Sequence, residues 1–139
     1  MNIVLDTNSL IMSISGRSDY HYVWQSFLRG EYILCITNEI LEEYVEVIGR
    51  NISTRAADAL AYILMTRENV IRTDPHFRFG LIAVDPDDNK FVDCAIATNA
   101  KYIVTQDKHF DVLKQVTFPR INVISIDLFL QQLKAANNL

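Results

Sequence analysis

The sequence predicts an α/β fold built on a central, mostly parallel sheet of five strands. Short apolar runs alternate along the chain with longer segments of helical periodicity, which is the pattern of successive βα units. The chain has 139 residues, of which half are hydrophobic, and this is enough to form the core of one domain. No internal repeat or flexible linker interrupts it. We therefore expect a single domain over residues 1–139.

The predicted strands are apolar runs that end at a polar residue. Ile3-Val4-Leu5 ends at Asp6, and the run from Tyr32 to Ile36 ends at Thr37. Two later runs, at residues 102–105 and 122–126, have the same form, and a short run before Arg72 gives the remaining strand. We expect strands at residues 2–6, 32–36, 70–73, 102–105 and 122–126.

The predicted helices begin or end at residues that favour helix termini. Gly30 is placed to end the second helix, Thr37 to cap the third, Ser53 or Thr54 to cap the fourth and Asp127 to cap the last. We expect helices at residues 8–15, 20–29, 38–49, 54–67, 89–99, 108–114 and 127–136.

Composition narrows the functional classes. The formal charge is −4, but without the four acids proposed below for a site, 13 acidic side chains balance 13 Lys and Arg. Charge thus neither supports nor excludes RNA as a ligand, although it argues against tight nonspecific binding. Cys35 and Cys94 lie in apolar runs and are predicted to be small buried hydrophobes. The sequence shows no secretory signal and no apolar segment of roughly 18 residues, so we expect a soluble, cytoplasmic protein without membrane contact.

Two acids follow predicted strands directly. Asp6 opens Asp6-Thr7-Asn8 after the first strand, and Asp107 follows the run that ends at Thr105. Open parallel sheets place their active sites at the carboxyl ends of the strands, so we expect these two acids to lie together. Acids gathered in one cleft repel each other unless a hard cation joins them. Asn8 and Thr105 are candidate neighbours that could orient an acid or a bound water.

A third candidate comes from helical phase. The third predicted helix contains Glu39, Glu42, Glu43 and Glu46. At 100° per residue, the other three acids lie roughly opposite the apolar stripe, whereas Glu43 lies only about 40° from the stripe's edge. Glu43 is therefore the member of the run best placed to reach the sheet edge near Asp6.

Several acids lie at the start of the fifth predicted helix, so these residues alone do not decide which of them belongs to the site. Acids in a first helical turn are stabilised by the helix dipole, which accounts for Asp87 and partly for Asp88. Asp88 and Asp93 are about 140° apart around the helix, so they do not both point straight at one ion. Lys90 is a candidate contact for an RNA phosphate, or a solvated charge.

The irregular segment between Thr73 and Asp88 has a weaker signal. Phe77-Arg78-Phe79 interleaves two aromatic residues with a cation, a pattern that can stack and neutralise single-stranded RNA. The favoured interpretation is a surface loop whose phenylalanines fold back on the core, with Arg78 as a candidate RNA contact. His109 is interpreted as a surface residue.

With these residues placed, the chain resembles the PIN domain family, and more narrowly the VapC-like toxin components of toxin-antitoxin pairs. The resemblance extends over essentially the whole chain. The matching segments are Ile3-Val4-Leu5-Asp6-Thr7-Asn8, Ile40-Leu41-Glu42-Glu43-Tyr44, Asp85-Pro86-Asp87-Asp88-Asn89-Lys90-Phe91 with Ala95, and Ala100-Lys101-Tyr102-Ile103-Val104-Thr105-Gln106-Asp107.

The resemblance implies a three-layer α/β/α sandwich and a divalent-metal-dependent endoribonuclease that uses Mg²⁺ or Mn²⁺. By position Asp6, Glu43, Asp88 and Asp107 match the four family acids, as catalytic residues and metal ligands. Asp93 lies in the third segment as well and stays a secondary candidate. The implied partners are an RNA substrate and a small antitoxin protein. A homodimer is also open, although Tyr20, Tyr22 and Trp24 are interpreted as core residues rather than as a partner surface.

Three alternative functions share parts of this pattern. A phosphatase of the haloacid dehalogenase type needs a second Asp two positions after the first, where this chain has Asn8. A receiver-like signalling domain would bind Mg²⁺ without being a nuclease, but it needs an acidic pair at the first strand and an Asp at the end of the third. A PIN fold that binds RNA without cleaving it is disfavoured by the acids at all four positions.

Overall fold

Five parallel strands form the centre of the protein, in the order β3-β2-β1-β4-β5. The computed structural model describes residues 1–75, 77–83 and 85–138. Ile3 lies opposite Tyr102 and Val4 opposite Ile103, so β1 and β4 are adjacent and in register. The strands are β1 (Asn2–Leu5), β2 (Ile33–Ile36), β3 (Val70–Arg72), β4 (Tyr102–Val104) and β5 (Val123–Ile124).

Helices enclose this sheet on both faces, which confirms the predicted α/β class and its three layers. The fifth helix packs against β1, β2 and β4, while most other helices contact one another in series. The helices are α1 (Thr7–Ile14), α2 (His21–Leu28), α3 (Asn38–Asn51), α4 (Thr54–Thr66), α5 (Asn89–Thr98) and α6 (Ile126–Asn137). Two 3₁₀ segments, Pro86–Asp88 and Lys108–Gln115, complete the described elements.

Most helix ends lie where the sequence placed them. Thr37 caps α3 by accepting from the Ile40 amide, and Ser53 caps α4 in the same way. Gly30 has a φ of 79°, a left-handed conformation that suits glycine and ends α2.

Two details of the helix prediction were wrong. Ser125, not Asp127, caps α6 by accepting from the Leu128 amide at 3.1 Å, and the Asp127 carboxylate instead accepts from the Tyr20 hydroxyl at 2.8 Å. The segment after Asp107 is a 3₁₀ helix. Sequence periodicity does not distinguish a 3₁₀ helix from an α-helix here, because the buried residues Phe110 and Leu113 lie on the same side of both helix types.

The core lies on both faces of the sheet and is made of the inner strands and the inward sides of the helices. Leu5, Ile36 and Val104 are fully buried at the ends of their strands. Cys35 and Cys94 are buried free thiols, as predicted. Trp24 belongs to the core, and Tyr20 and Tyr22 pack against it. Among the described residues, no helix combines the length and the apolar character that crossing a membrane requires.

Candidate active site

The carboxyl ends of β1 and β4 bring Asp6 and Asp107 to one edge of the sheet. Asp6 caps α1, because its Oδ1 accepts a 2.8 Å hydrogen bond from the Ser9 amide. Its Oδ2 accepts from the hydroxyl of Thr105, whose oxygen in turn accepts from the Asp107 amide at 2.9 Å. Thr105 therefore joins the ends of two neighbouring strands. Burial raises the pKa of Asp6 in spite of these hydrogen bonds.

Asp88 enters the same edge from the start of α5. Its pKa is raised to about 7, first by withdrawal from water and then by the negative charges of Asp85 and Asp107. Its Oδ2 is buried and has no hydrogen-bond partner within the described part of the chain. Asp85, Asp88, Asp107 and His109 each offer one ligand atom, and these four atoms lie within 4.8 Å of one another. We call these four residues the acidic cluster.

Histidine is the member of the acidic cluster that lies nearest to solvent. The His109 Nδ1 is 3.4 Å from Asp107 Oδ1 and 3.9 Å from a carboxylate oxygen of each of Asp85 and Asp88. The Asp107 carboxylate also accepts from the His109 amide at 2.9 Å. His109 is exposed, as predicted, but it lies against three carboxylates rather than on an unrelated surface.

Glu43 is fixed beside the start of α1. The Tyr44 hydroxyl donates to the carbonyl of Leu5, which holds α3 against the end of β1. One carboxylate oxygen of Glu43 accepts from the hydroxyl of Thr7. The other is 2.9 Å from the ammonium of Lys90. Both oxygens are thus engaged, and the conformation of the side chain is set by α1 and α5 together.

Lys90 is a buried cation, with 3% of its side chain exposed. Its Nζ lies 2.9 Å from Asp87 Oδ2 and 2.8 Å from the Asp87 carbonyl oxygen, in addition to Glu43. These three contacts account for the three ammonium protons. The ammonium points into the protein and has no proton left for a phosphate.

The remaining predicted residues lie apart from the acidic cluster. Asp93 is 3% exposed, and its Oδ1 accepts from the Phe79 amide at 3.1 Å, so it faces the preceding loop. Burial raises its pKa. Arg78 is exposed and lies 3.6 Å from a carboxylate oxygen of Glu39. Asn8 is exposed at the start of α1.

A comparison against protein families gives a match. The sequence model described as PIN domain matches residues 2–109, a range that includes Asp6, Glu43 and the acidic cluster. This chain belongs to the PIN domain family. The strand order supports the assignment, because receiver domains have the order 2-1-3-4-5 and this PIN domain has 3-2-1-4-5.

Solved structures with the same fold include toxin-antitoxin proteins. The PIN domain is similar to VapBC2 from Rickettsia felis bound to a promoter DNA fragment, with 19% identity, a TM-score of 0.61, and 90% and 98% of the two chains covered. DNA-bound VapBC from Salmonella typhimurium has 19% identity and a TM-score of 0.62, with 91% of this chain and 98% of that chain covered. Mycobacterium tuberculosis VapC20, a toxin that cleaves the sarcin-ricin loop, has 15% identity and a TM-score of 0.56, with 78% of this chain and 92% of that chain covered. A comparison with curated proteins finds no match.

Sequence reasoning did not assign Asp85 and His109 to the site of this PIN domain. Both stand in segments that were singled out, since Asp85 precedes Pro86 and His109 follows Asp107 by two positions. The missing information was the contact between the two segments, which forms because α5 packs against β4 and so brings its first turn beside the residues that follow this strand. The sequence signal for both residues is an acid or a histidine within three positions of a predicted metal ligand, since Asp85 is near Asp88 and His109 is near Asp107.

The acidic cluster fits a divalent cation. Three carboxylates and an imidazole are ligands that Mg²⁺ or Mn²⁺ accepts. The unpaired buried oxygen of Asp88 and its raised pKa both show a carboxylate that lacks a compensating charge. A bound cation would supply that charge.

Proposed function

We propose that this PIN domain is a divalent-metal-dependent endoribonuclease that hydrolyses RNA phosphodiester bonds. The single observation that supports this most is the acidic cluster, where Asp88 has an unpaired buried oxygen beside Asp85 and Asp107. Acids that only served folding would be paired with cations or hydrogen-bond donors. Perturbed acids at the carboxyl edge of a parallel sheet are instead typical of active sites.

The proposed ligands of the cation are Asp107 and Asp88, with Asp85 and His109 completing the donor set. Asp6 faces the same edge through Thr105, and Glu43 completes the four acids of the family pattern. A bound Mg²⁺ or Mn²⁺ would polarise the scissile phosphate and favour attack by water, to leave a 3′-hydroxyl and a 5′-phosphate.

The protein groups have distinct tasks around that chemistry. Thr105 holds the Asp6 carboxylate and the Asp107 backbone at a fixed separation. Lys90 and Thr7 hold Glu43 from both sides, so its carboxylate cannot rotate away. Asp6 is nearly buried and accepts from Ser9 and Thr105, so its carboxylate is held in one orientation, which suits a residue that orients reactants.

The biological role that we propose is the toxin of a toxin-antitoxin pair. The support is the fold shared with VapBC2 from Rickettsia felis and with VapC20, which cleaves RNA of the sarcin-ricin loop. The partners would be an RNA substrate in the cytoplasm and a small antitoxin protein. A homodimer is compatible with this role. Co-purification with the product of the neighbouring open reading frame tests the antitoxin directly.

Cleavage of a labelled single-stranded or structured RNA, with and without Mn²⁺, tests the activity. Asp6→Asn should abolish divalent-dependent cleavage, because it removes a negative charge from the site while keeping its shape. Asp58→Asn on the exposed surface of α4 is the matched control and should cleave like the wild type. Equal cleavage by wild type and Asp6→Asn would reject the assignment. RNA binding without any cleavage in either protein would favour an RNA-binding PIN fold.

A further inference from the structure

A cavity lies beside helix α5 and is distinct from the acidic cluster. Its volume is about 250 Å³, which exceeds that of a single nucleobase. Apolar groups form most of its lining, which includes Pro75, Phe77, Phe79, Asp93 and Ile96.

The two phenylalanines of this loop do not fold back on the core. Phe77 is 73% exposed and Phe79 is 42% exposed, and their ring centroids are 6.4 Å apart. The loop is nevertheless held in place, because the Phe79 amide donates to Asp93 and the Ile82 amide and carbonyl both bond the Asn89 side chain at 2.8 Å. An anchored loop thus presents two aromatic faces beside a cavity.

The cavity also contains a buried acid. Asp93 forms part of its wall and is 3% exposed. Its Oδ1 accepts from the Phe79 amide, and a carboxylate has further acceptor positions. A ligand in this cavity therefore meets aromatic surface and a hydrogen-bond acceptor at once.

The cavity adjoins a second pocket on the side of Lys90. The two share Asp74, Pro75 and Asp93, and the adjoining pocket is also lined by Arg78 and Lys90. The Lys90 ammonium is bonded to Glu43. One buried lysine thus lies between the adjoining pocket and Glu43. Arg78 lines the same pocket at the surface, 3.6 Å from a carboxylate oxygen of Glu39.

We propose that this cavity binds one unpaired nucleobase of the RNA strand whose backbone lies at the acidic cluster. The inference rests on the proposed nuclease function and adds a subsite to it. The base stacks on Phe77 or Phe79, and its exocyclic amino group donates to Asp93. Adenine, cytosine and guanine have such an amino group, whereas uracil does not. The subsite therefore favours amino-bearing bases over uracil at one position of the strand.

A nucleobase fits this cavity better than an apolar protein side chain. An apolar side chain would cover the second carboxylate oxygen of Asp93 without donating to it, and burying an acceptor without a donor is costly. Stacking on an exposed aromatic ring is the usual way in which single-stranded RNA is held, and it occurs beside cations such as Arg78.

The test is a panel of single-stranded oligonucleotides with A, C or U at each position, assayed for cleavage in Mn²⁺ and for binding by fluorescence anisotropy in EDTA. Phe77→Ala should raise KM and Kd by about five-fold or more, the lower limit for the loss of one stacked base, with little change in kcat. Phe118→Ala is the matched control, since Phe118 is 90% exposed on another loop, and it should behave like the wild type.

Asp93→Asn tests the hydrogen bond and leaves the loop anchored, because the amide oxygen still accepts from the Phe79 amide. The ratio of cleavage with A or C at the subsite to cleavage with U there should shift by about ten-fold in favour of U. The reason is that the new side-chain N–H group donates to a uracil carbonyl. Circular dichroism and thermal melting confirm that both variants are folded.

Separate outcomes distinguish the subsite from the nuclease. If the wild type cleaves RNA and Phe77→Ala matches Phe118→Ala in KM and Kd, the subsite is wrong and the nuclease stands. If Phe77→Ala loses an antitoxin partner while RNA binding is unchanged, the cavity is a protein contact and the subsite is again wrong. If the wild type neither binds nor cleaves any oligonucleotide, the proposed function fails, and the subsite with it.

Discussion

Lys90 offers a quantitative test of how the site is built. Its ammonium is buried and lies 2.9 Å from both Glu43 and Asp87, so Lys90→Met removes a charge and keeps most of the side-chain volume. Removing one partner of a fully buried ion pair costs about 3–5 kcal/mol, because the other charge is left uncompensated. Glu43 is 25% exposed and Asp87 is 72% exposed, so water can solvate both carboxylates in part. We expect a loss of about 2 kcal/mol in the free energy of unfolding.

Urea denaturation at pH 7.5 in EDTA measures this change. Lys114→Met is the matched control, because Lys114 lies 3.5 Å from Asp111 and both side chains are exposed. An exposed pair contributes about 0.2–1 kcal/mol. The double variant Lys90→Met/Glu43→Gln should recover at least half of the loss, since the uncompensated carboxylate is then absent as well. Two results would contradict this expectation. One is a loss of unfolding free energy for Lys90→Met no larger than that for Lys114→Met. The other is a double variant whose loss equals the sum of the two single-variant losses.

Two further predictions concern the acids of the site. Asp88→Asn should flatten the pH dependence of stability in metal-free protein. The pKa of Asp88 is about 7 when folded and 3.8 in its unperturbed state, so its contribution is complete below pH 4 and is lost as the pH rises through 7. At pH 8 this variant should be more stable than the wild type by about 1–3 kcal/mol in thermal melts, and equal stability would contradict the shift. Thr105→Val should weaken Mn²⁺ binding by about 10- to 100-fold in calorimetry, because the Asp107 amide loses the hydroxyl oxygen that positions this proposed ligand; unchanged affinity would contradict that positioning role.

The sheet was predictable because its strands are fully apolar runs with polar residues at their ends. Leu5 and Val104 are buried on both sides, and the residues that follow them, Asp6 and Thr105, mark the carboxyl edge. The same logic placed Asp107. The two-residue strand β5 was overestimated in length, because Ile126, which follows Ser125, is a buried residue of α6 rather than the end of the strand.

Helical phase predicted the position of Glu43 but not the residues that it contacts. A lysine in a first helical turn is ordinarily solvated. Only the packing of α5 against α3 shows that Lys90 is buried and bonded to Glu43. His109 was assigned to the surface for the same reason, because two of the three carboxylates around it, those of Asp85 and Asp88, come from a distant segment. Local sequence describes single elements, and such sites arise where several of them meet.

The loop with Phe77 and Phe79 was the least predictable segment. Aromatic residues are usually drawn into the core, so the favoured expectation was burial. Both rings are exposed instead, because the backbone of the loop is fixed by Asp93 and Asn89 rather than by the rings. Sequence pattern alone does not distinguish these two ways of holding a loop.

The position of Mn²⁺ in crystals of the wild-type protein, located by anomalous scattering, tests whether the acids at the carboxyl edge of β1 and β4 form a site for a divalent cation. We predict an anomalous peak within bonding distance of Asp88 and Asp107, which disappears in Asp107→Asn crystals grown under the same conditions. Ordered Mn²⁺ elsewhere on the protein, with none at these two carboxylates, would show that these acids do not form the cation site.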